Sequence, residues 1–274
     1  MSQHLFNDTD ITAIANAIRT KKGTQNTMTI TQMPSEIASI PSGGGTDYMA
    51  QRVQGTLSSY EIPNTCTKVI RCAFYQLTSL TSITIPNTIT TIGSYAFAYC
   101  SLTSLNLPGS LITIDSDAFE HNTSLTSITF DSNLYARFQN YAFSDCTSLT
   151  TLNNFSISKF KPSGSTGNPW LSDYLFRGSA LVGDISLGSS ASVGTRALDN
   201  TNSTGILYIH LTQDDTSLLA SSYSFGSGSN EYNRSFNPDH CRLVVPYSAD
   251  HSILTAYQTQ WPNYSTIMIE ESQS

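Results

Sequence analysis

The dipeptide Ala-Phe recurs at Ala73-Phe74, Ala96-Phe97, Ala118-Phe119 and Ala142-Phe143, with the phenylalanines 23, 22 and 24 residues apart. A fixed period in this range marks a repeat architecture rather than a globule around one central core. Each Ala-Phe leads into an alternating run: Leu80-x-x-Ile83-x-Ile85, Leu102-x-x-Leu105-x-Leu107, Leu125-x-x-Ile128-x-Phe130 and Leu149-x-x-Leu152. Alternation with period two reads as strand. An earlier partial copy is Leu57-x-x-Tyr60-x-Ile62-Pro63. Two degenerate copies follow, Leu175-Phe176 with Leu181 to Leu187, and Ala197-Leu198 with Ile206 to Leu211. Phe143 and Phe176 are 33 residues apart, so about ten residues are inserted there.

Each unit predicts one coil of a solenoid. The alternating half adds a strand to a parallel sheet along one side. The Ala-Phe half turns the chain back, with Phe plugging the coil and Ala small enough for a neighbouring backbone to pass. Burying the apolar side chains of one coil gains on the order of 10 kcal/mol. Ordering its residues costs more, at roughly 1 kcal/mol or more each. A lone coil therefore does not fold, and stacking supplies the missing neighbours. Pro63, Pro86 and Pro108 sit just past the strands, where a missing N–H is tolerated.

The pattern L-x-x-I-x-L-P followed by I-G-x-x-A-F-x-x-C resembles the BspA-type leucine-rich repeat, and Thr91-Ile92-Gly93-Ser94-Tyr95-Ala96-Phe97-Ala98-Tyr99-Cys100 follows it almost position for position. The resemblance covers about residues 51 to 245 and is strongest from 74 to 152. It implies an α/β solenoid of leucine-rich repeats with a parallel strand face. The last two copies depart from the pattern, lacking Ala-Phe or Cys.

Both ends differ from the array. Asp8 or Thr9 can cap a helix from Asp10, whose apolar face is Ile11, Ile14, Ala15 and Ile18. Lys21, Lys22 and Gly23 suit its end, and a second helix is expected from Pro34. Ser42-Gly43-Gly44-Gly45 reads as a flexible joint. The run Asp10-Ile11-x-x-Ile14-Ala15-x-Ala17-Ile18-Arg19-x-Lys21-x-Gly23, then Met33-Pro34-x-x-Ile37-x-x-Ile40, is similar to a short N-terminal module of tail proteins from phages of Gram-positive bacteria. That resemblance implies an anchoring role for Ile11, Ile14 and Ile18. Val244-Val245-Pro246 with Tyr257 and Trp261 resembles the segment that closes such repeats in phage and surface proteins. A helix from about 250 to 260 is expected to cover the final coil with Ile253, Leu254, Tyr257 and Trp261. The expected organisation is a helical module at 1–41, a Gly-rich linker at 42–50, the repeat domain at 51–245 and a cap at 246–274.

Charged residues make up only 12% of the 274, about half the usual share, and the net charge is -7. Thirteen scattered Lys and Arg give no basic stripe, so no nucleic-acid partner is expected. No run approaches the roughly 18 apolar residues of a membrane span, so membrane insertion is not expected either. Met1 to Asp8 lack the basic start and apolar run of a secretory signal, which predicts folding in the host cytoplasm. Cys66, Cys72, Cys100, Cys146 and Cys241 show no C-x-x-C spacing. No metal and no cofactor is predicted, and buried free thiols are expected, with a disulfide framework as the alternative. Cys100 and Cys146 share one repeat position, filled by Asn122 in the coil between, which reads as a pocket for small side chains.

No catalytic motif stands out: G-x-S-x-G, H-E-x-x-H and the P-loop are missing. Asp115 with Asp117, and Asp214 with Asp215, are carboxylate pairs that can serve glycoside cleavage or simply favour turns. His210 reads as a surface residue of a strand. The strand face is the stronger binding candidate, through Ser82, Thr84, Ser104, Asn106, Ser127, Thr129, Thr151 and Asn153, which alternate with apolar positions and point outward. Ser59, Glu61, Asp184 and Ser186 extend these rows. Such rows can hydrogen-bond a polar polymer, and the alternative is a plainly solvated face. Two long segments, Lys159 to Tyr174 with Trp170, and Thr212 to His240, are further candidates. Trp170 suits sugar stacking if exposed and packing if buried. Taken together these features predict a non-enzymatic virion protein of the distal phage tail: a fibre, baseplate appendage or receptor-binding subunit. Its expected partners are other tail or baseplate proteins, a host-surface glycan or protein, and further copies of itself. A bacterial surface adhesin and a tail-borne polysaccharide depolymerase are the alternatives.

Overall fold

A computed structural model of the protein describes residues 56–162, 168–219, 223–226 and 234–272. The predicted helical module with Ile11, Ile14 and Ile18, and the glycine joint, lie outside the described residues.

The described chain is an α/β solenoid in which each coil contributes two short parallel strands. The first coils give β1 (Ser59–Glu61), β2 (Lys68–Val69), β3 (Ser82–Thr84), β4 (Thr91–Ile92), β5 (Ser104–Leu107), β6 (Thr113–Ile114), β7 (Ser127–Phe130), β8 (Arg137–Phe138) and β9 (Thr151–Asn153). The later ones give β10 (Trp170–Leu171), β11 (Gly183–Gly188), β12 (Ala191–Val193), β13 (Leu207–Leu211), β14 (Tyr223–Phe225), β15 (Cys241–Val245) and β16 (Met268–Glu270). Pairing always skips one strand until the end, as in β5-β7-β9 and β2-β4-β6-β8. The odd strands thus line one side and the even strands up to β14 another. Two parallel ladders run along the array where the repeat pattern predicts one. The second ladder is built from the residues that precede each Ala-Phe, such as Thr91-Ile92, two residues too short to show as alternation.

The Ala-Phe segment is itself a third ladder. In each coil the N–H groups two before, at, and two after the Phe donate to the next coil. Tyr95, Phe97 and Tyr99 donate to the carbonyls of Ser116, Ala118 and Glu120; Asp117, Phe119 and His121 donate to those of Asn140, Ala142 and Ser144. Aiming three N–H groups one way within five residues requires left-handed backbone at the two flanking positions. Cys72 and Gln76, Tyr95 and Tyr99, Asp117 and His121, Tyr141 and Asp145, and Tyr174 and Gly178 all lie at φ between 54° and 70°. Ala96, Ala118 and Ala142 are fully buried where this ladder packs. Gly93 is needed for close approach: a Cβ there would meet the backbone nitrogen of Arg71 at 2.6 Å.

Inside, the plugs form a stack. Phe74, Phe97, Phe119, Phe143 and Phe176 are each buried, with successive ring centroids 4.9, 5.1, 5.2 and 5.6 Å apart and planes within 10°. Leu198 takes the next place, and Phe236, bridged in parallel to Leu198 and fully buried, takes the one after. The segment 212–240 is therefore not one long loop. It carries β14 and the plug of a further coil, which spacing hid because Phe236 lies 38 residues beyond Leu198.

Helix α1 (Ser252–Gln260) covers the last coil with Tyr257 fully buried and Ile253, Leu254 and Trp261 partly so. A 3-10 segment, Pro262–Ile267, then leads to β16, which adds in parallel to β15. This final strand was not foreseen.

Phe97→Ala should destabilise the protein by roughly 3–5 kcal/mol, since it empties the middle of the stack. Thr84→Ala, on an exposed side chain, should stay within about 0.5 kcal/mol. Urea denaturation followed by circular dichroism measures both, and equal losses would reverse the inside and outside assigned here.

Candidate functional site

The strand face carries two rows. Ser59 pairs with Ser82, and Ser127 with Ser104 and Thr151; alongside, Glu61 pairs with Thr84, and Thr129 with Asn106 and Asn153. The break between β3 and β5 is bridged by Thr103 N–H donating to the Thr81 carbonyl. Ser127 and Thr129 are half-buried and the other members exposed. Strand spacing of about 4.8 Å sets the repeat along each row. The side chains are little tied to one another: Asn153 Nδ2 donates to Thr129 Oγ1 at 3.3 Å, and most remain open to solvent. By contrast the threonine preceding each strand is used internally, with the hydroxyls of Thr81, Thr103, Thr126 and Thr150 donating to carbonyls of the coil before.

Beyond β9 the same face changes character. His210 Nε2 lies 2.8 Å from Asp184 Oδ1 and Nδ1 lies 3.5 Å from Glu271 Oε1, with exposed Tyr208 and Ile269 beside them. Sequence reasoning placed Asp184 and His210 on the surface but missed Glu271, which reaches the face only because β16 adds to the sheet. Trp170 is not in a loop. It is half-buried in β10, paired with Ser192 on the second ladder, away from the strand-face rows. Asp215 caps a short 3-10 turn by accepting from Ser217 N–H, which gives that carboxylate a structural task.

A third cluster lies on the Ala-Phe edge. Tyr99 stacks on His121 at 4.6 Å, Tyr75 meets Tyr95 and Tyr99 edge-on, and Tyr141 stacks on Tyr174 at 4.5 Å. Between these aromatics sit Asp117, hydrogen-bonded to Tyr95, and Glu120, His121 and Asp145, whose ligand atoms all lie within 4.8 Å of one another. Arg177 approaches Asp145 at 3.5 Å. Burial raises the Asp117 carboxyl above its ordinary value. Burial, and then the charge of Asp117, does the same to Glu120. Sequence reading saw Asp117 only as half of a pair with Asp115; the coil-to-coil register is what brings it toward Glu120 and Asp145.

Residues 53–166 match, in six copies, the family model described as BspA type Leucine rich repeat region. This stretch is similar to BspA-type leucine-rich repeats. The later coils keep the geometry without the signature. No curated protein matches the sequence. Among solved structures, a leucine-rich repeat protein from Bacteroides ovatus is similar at 14% identity, covering 69% of this chain and 63% of that one, with a TM-score of 0.29. A leucine rich cell surface protein from Faecalibacterium prausnitzii follows at 15%, covering 82% and 66%, with a TM-score of 0.32. The Pneumococcal vaccine antigen PcpA stands at 13%, covering 79% and 80%, with a TM-score of 0.34. The chain spans less than two thirds of the length of the first two.

The small residue three beyond Phe97, Phe119 and Phe143 is a donor, whereas Leu77 fills that place after Phe74. Cys100 Sγ donates to the Phe74 carbonyl, Asn122 Nδ2 to that of Phe97, and Cys146 Sγ to that of Phe119. All five cysteines are free; Cys100, Cys146 and Cys241 are buried, whereas Cys66 and Cys72 are half-exposed. Burial pushes the thiols of Cys146 and Cys241 up to about 12, so they serve as donors and not as thiolates. A thiol-specific reagent at pH 8 should label Cys66 and Cys72 in the native protein and spare Cys146 and Cys241 until it unfolds, as peptide mass mapping would show.

Glu120 gives a pH-dependent prediction. A carboxyl whose folded pKa is raised lends its stability below the unfolded pKa and loses it as pH rises through the folded one. Glu120→Gln should therefore raise the urea midpoint at pH 7 in metal-free buffer. The gain should vanish below about pH 4, where the unfolded carboxyl is also protonated.

Proposed function

We propose that the array is a recognition module that binds a polar polymer on a host cell surface, borne at the distal tail of a phage. The observation that carries recognition is the double row of outward hydroxyls and amides, from Ser82 and Thr84 to Thr151 and Asn153, repeated at strand spacing. A glycan chain with regularly spaced hydroxyls is the matching ligand chemistry. The placement on a virion rests on the resemblance of residues 10–40 and of the closing segment to phage tail proteins. In this reading Ile11, Ile14 and Ile18 anchor the chain to other tail or baseplate proteins. Several copies on one particle then turn weak contacts into avidity. In this reading the protein binds without chemistry, and incubation with host-wall glycans should release no new reducing ends.

A second reading, a bacterial surface adhesin, is favoured by the match of residues 53–166 to BspA-type repeats. Both readings use the same strand face and differ in where the protein sits.

The full chain, fluorescently labelled, should bind host cells and block phage adsorption. Asn106→Lys with Thr129→Lys should weaken that binding at least about tenfold, a loss of about 1.4 kcal/mol, while leaving the melting temperature unchanged. Antibody to the chain should decorate tail tips in electron micrographs. Decoration of the bacterial envelope alone would favour the adhesin, and unaltered binding by the double variant would remove the strand face from either reading.

A further inference from the structure

We infer that Glu120, His121 and Asp145 form a binding site for a divalent transition-metal ion of the zinc class, which staples one coil to the next. Glu120 and His121 follow Phe119 directly, and Asp145 is two beyond Phe143 in the adjoining coil. The Ala-Phe ladder fixes these backbones against each other through His121 N–H donating to the Ser144 carbonyl. Their ligand atoms lie within 4.8 Å of one another.

The distances suit an ion better than a hydrogen bond. Zinc holds nitrogen and oxygen at about 2.0–2.1 Å, so two ligands of a tetrahedron sit about 3.4 Å apart. His121 Nδ1 and Glu120 Oε1 are 3.6 Å apart, too far for a hydrogen bond and close to that edge. A second observation points the same way. His121 Nδ1 has essentially no solvent-accessible surface and no hydrogen-bond partner, although its ring is fixed by the stack on Tyr99. Only this nitrogen is covered, for 37% of the His121 side chain is exposed, and a cation between it and the two carboxylates would satisfy it.

Charge agrees. Asp117, Glu120 and Asp145 face this edge with Arg177 as the nearby cation, and Ser144 Oγ donates to Asp145 Oδ2 at 2.9 Å. With Arg71 over the Tyr95 ring, two guanidiniums stand against three carboxylates. An imidazole among the ligands favours zinc, cobalt or nickel over calcium or magnesium. Three protein ligands leave a fourth position for water. Arg177 competes with the ion for Asp145. This assignment stands apart from the strand-face reading and does not depend on it.

The test uses tag-free, metal-stripped full-length protein titrated with Co2+ and read by visible absorption, with Zn2+ as competitor. One saturable tetrahedral-type band, displaced by Zn2+, is expected. His121→Phe keeps the stack on Tyr99 and removes the nitrogens; it should melt like the parent and weaken Co2+ binding at least about tenfold, as should Asp145→Asn. Arg177→Gln should tighten binding, and His210→Ala should leave it unchanged. Failure to saturate by about 1 mM Co2+, or equal affinity in His121→Phe and the parent, would overturn the site.

Discussion

The array depends on the backbone ladder at the Ala-Phe turn. Every coil from Phe74 to Phe176 hands three N–H groups to the next, and the ring between them lands on the ring before it. The geometry is costly: non-glycine residues in the left-handed region cost on the order of 1 kcal/mol or more each, and the turns around Phe74, Phe97, Phe119 and Phe143 hold two apiece. Three backbone hydrogen bonds, at roughly 1 kcal/mol net each, offset that. The stacked ring then adds its burial, with about 0.5–1.5 kcal/mol from the aromatic pair. None of these gains exists for a single coil, so the turn conformation and the stacking of coils stand or fall together.

The same logic explains the ends. The last coils lose the Ala-Phe signature, and their contacts become particular instead of periodic. Asp199, fully buried, is held between Arg196 and Arg234, which clasps the strand-to-plug segment near Phe236. Tyr264 accepts from Ser235 N–H and donates to the Gly226 carbonyl, tying the cap to that final plug. Tyr257 donates to Gln213 from the helix side. A repeat that can no longer pass its N–H groups onward needs side chains to close it, and aromatic hydroxyls reaching back into the last coil do so.

This division sets what the sequence could reveal. Period, inward plugs, strand rows and cap helix were legible because each follows from side-chain pattern. Phe97, Leu102, Leu105 and Leu107 announce their burial by spacing alone. The second ladder was not legible, because Thr91-Ile92 and Thr113-Ile114 are too short to alternate. Nor were the left-handed turns: Tyr95, Tyr99 and Tyr141 are not residues that signal positive φ. Phe236 was hidden by irregular spacing. Glu120, His121 and Asp145 carried no signal, and Asp117 only a pairing with Asp115, until register placed two coils side by side. Contacts that arise between coils at unlike repeat positions leave no trace in a one-dimensional pattern.

The residues at those left-handed positions also show where the array spends its freedom. Glycine would sit there with least strain, yet among the ten flanking residues from Cys72 to Gly178 it is used once. Tyrosine, aspartate and histidine predominate, and their side chains meet across coils as Tyr99 on His121 and Tyr141 on Tyr174. A position that accepts backbone strain to carry an aromatic or ionisable group gains something from that group. Part of the gain is stacking along the edge. The carboxylates contribute no such packing, and burial raises Asp117, at one of these positions, and Glu120 beside them toward their neutral forms.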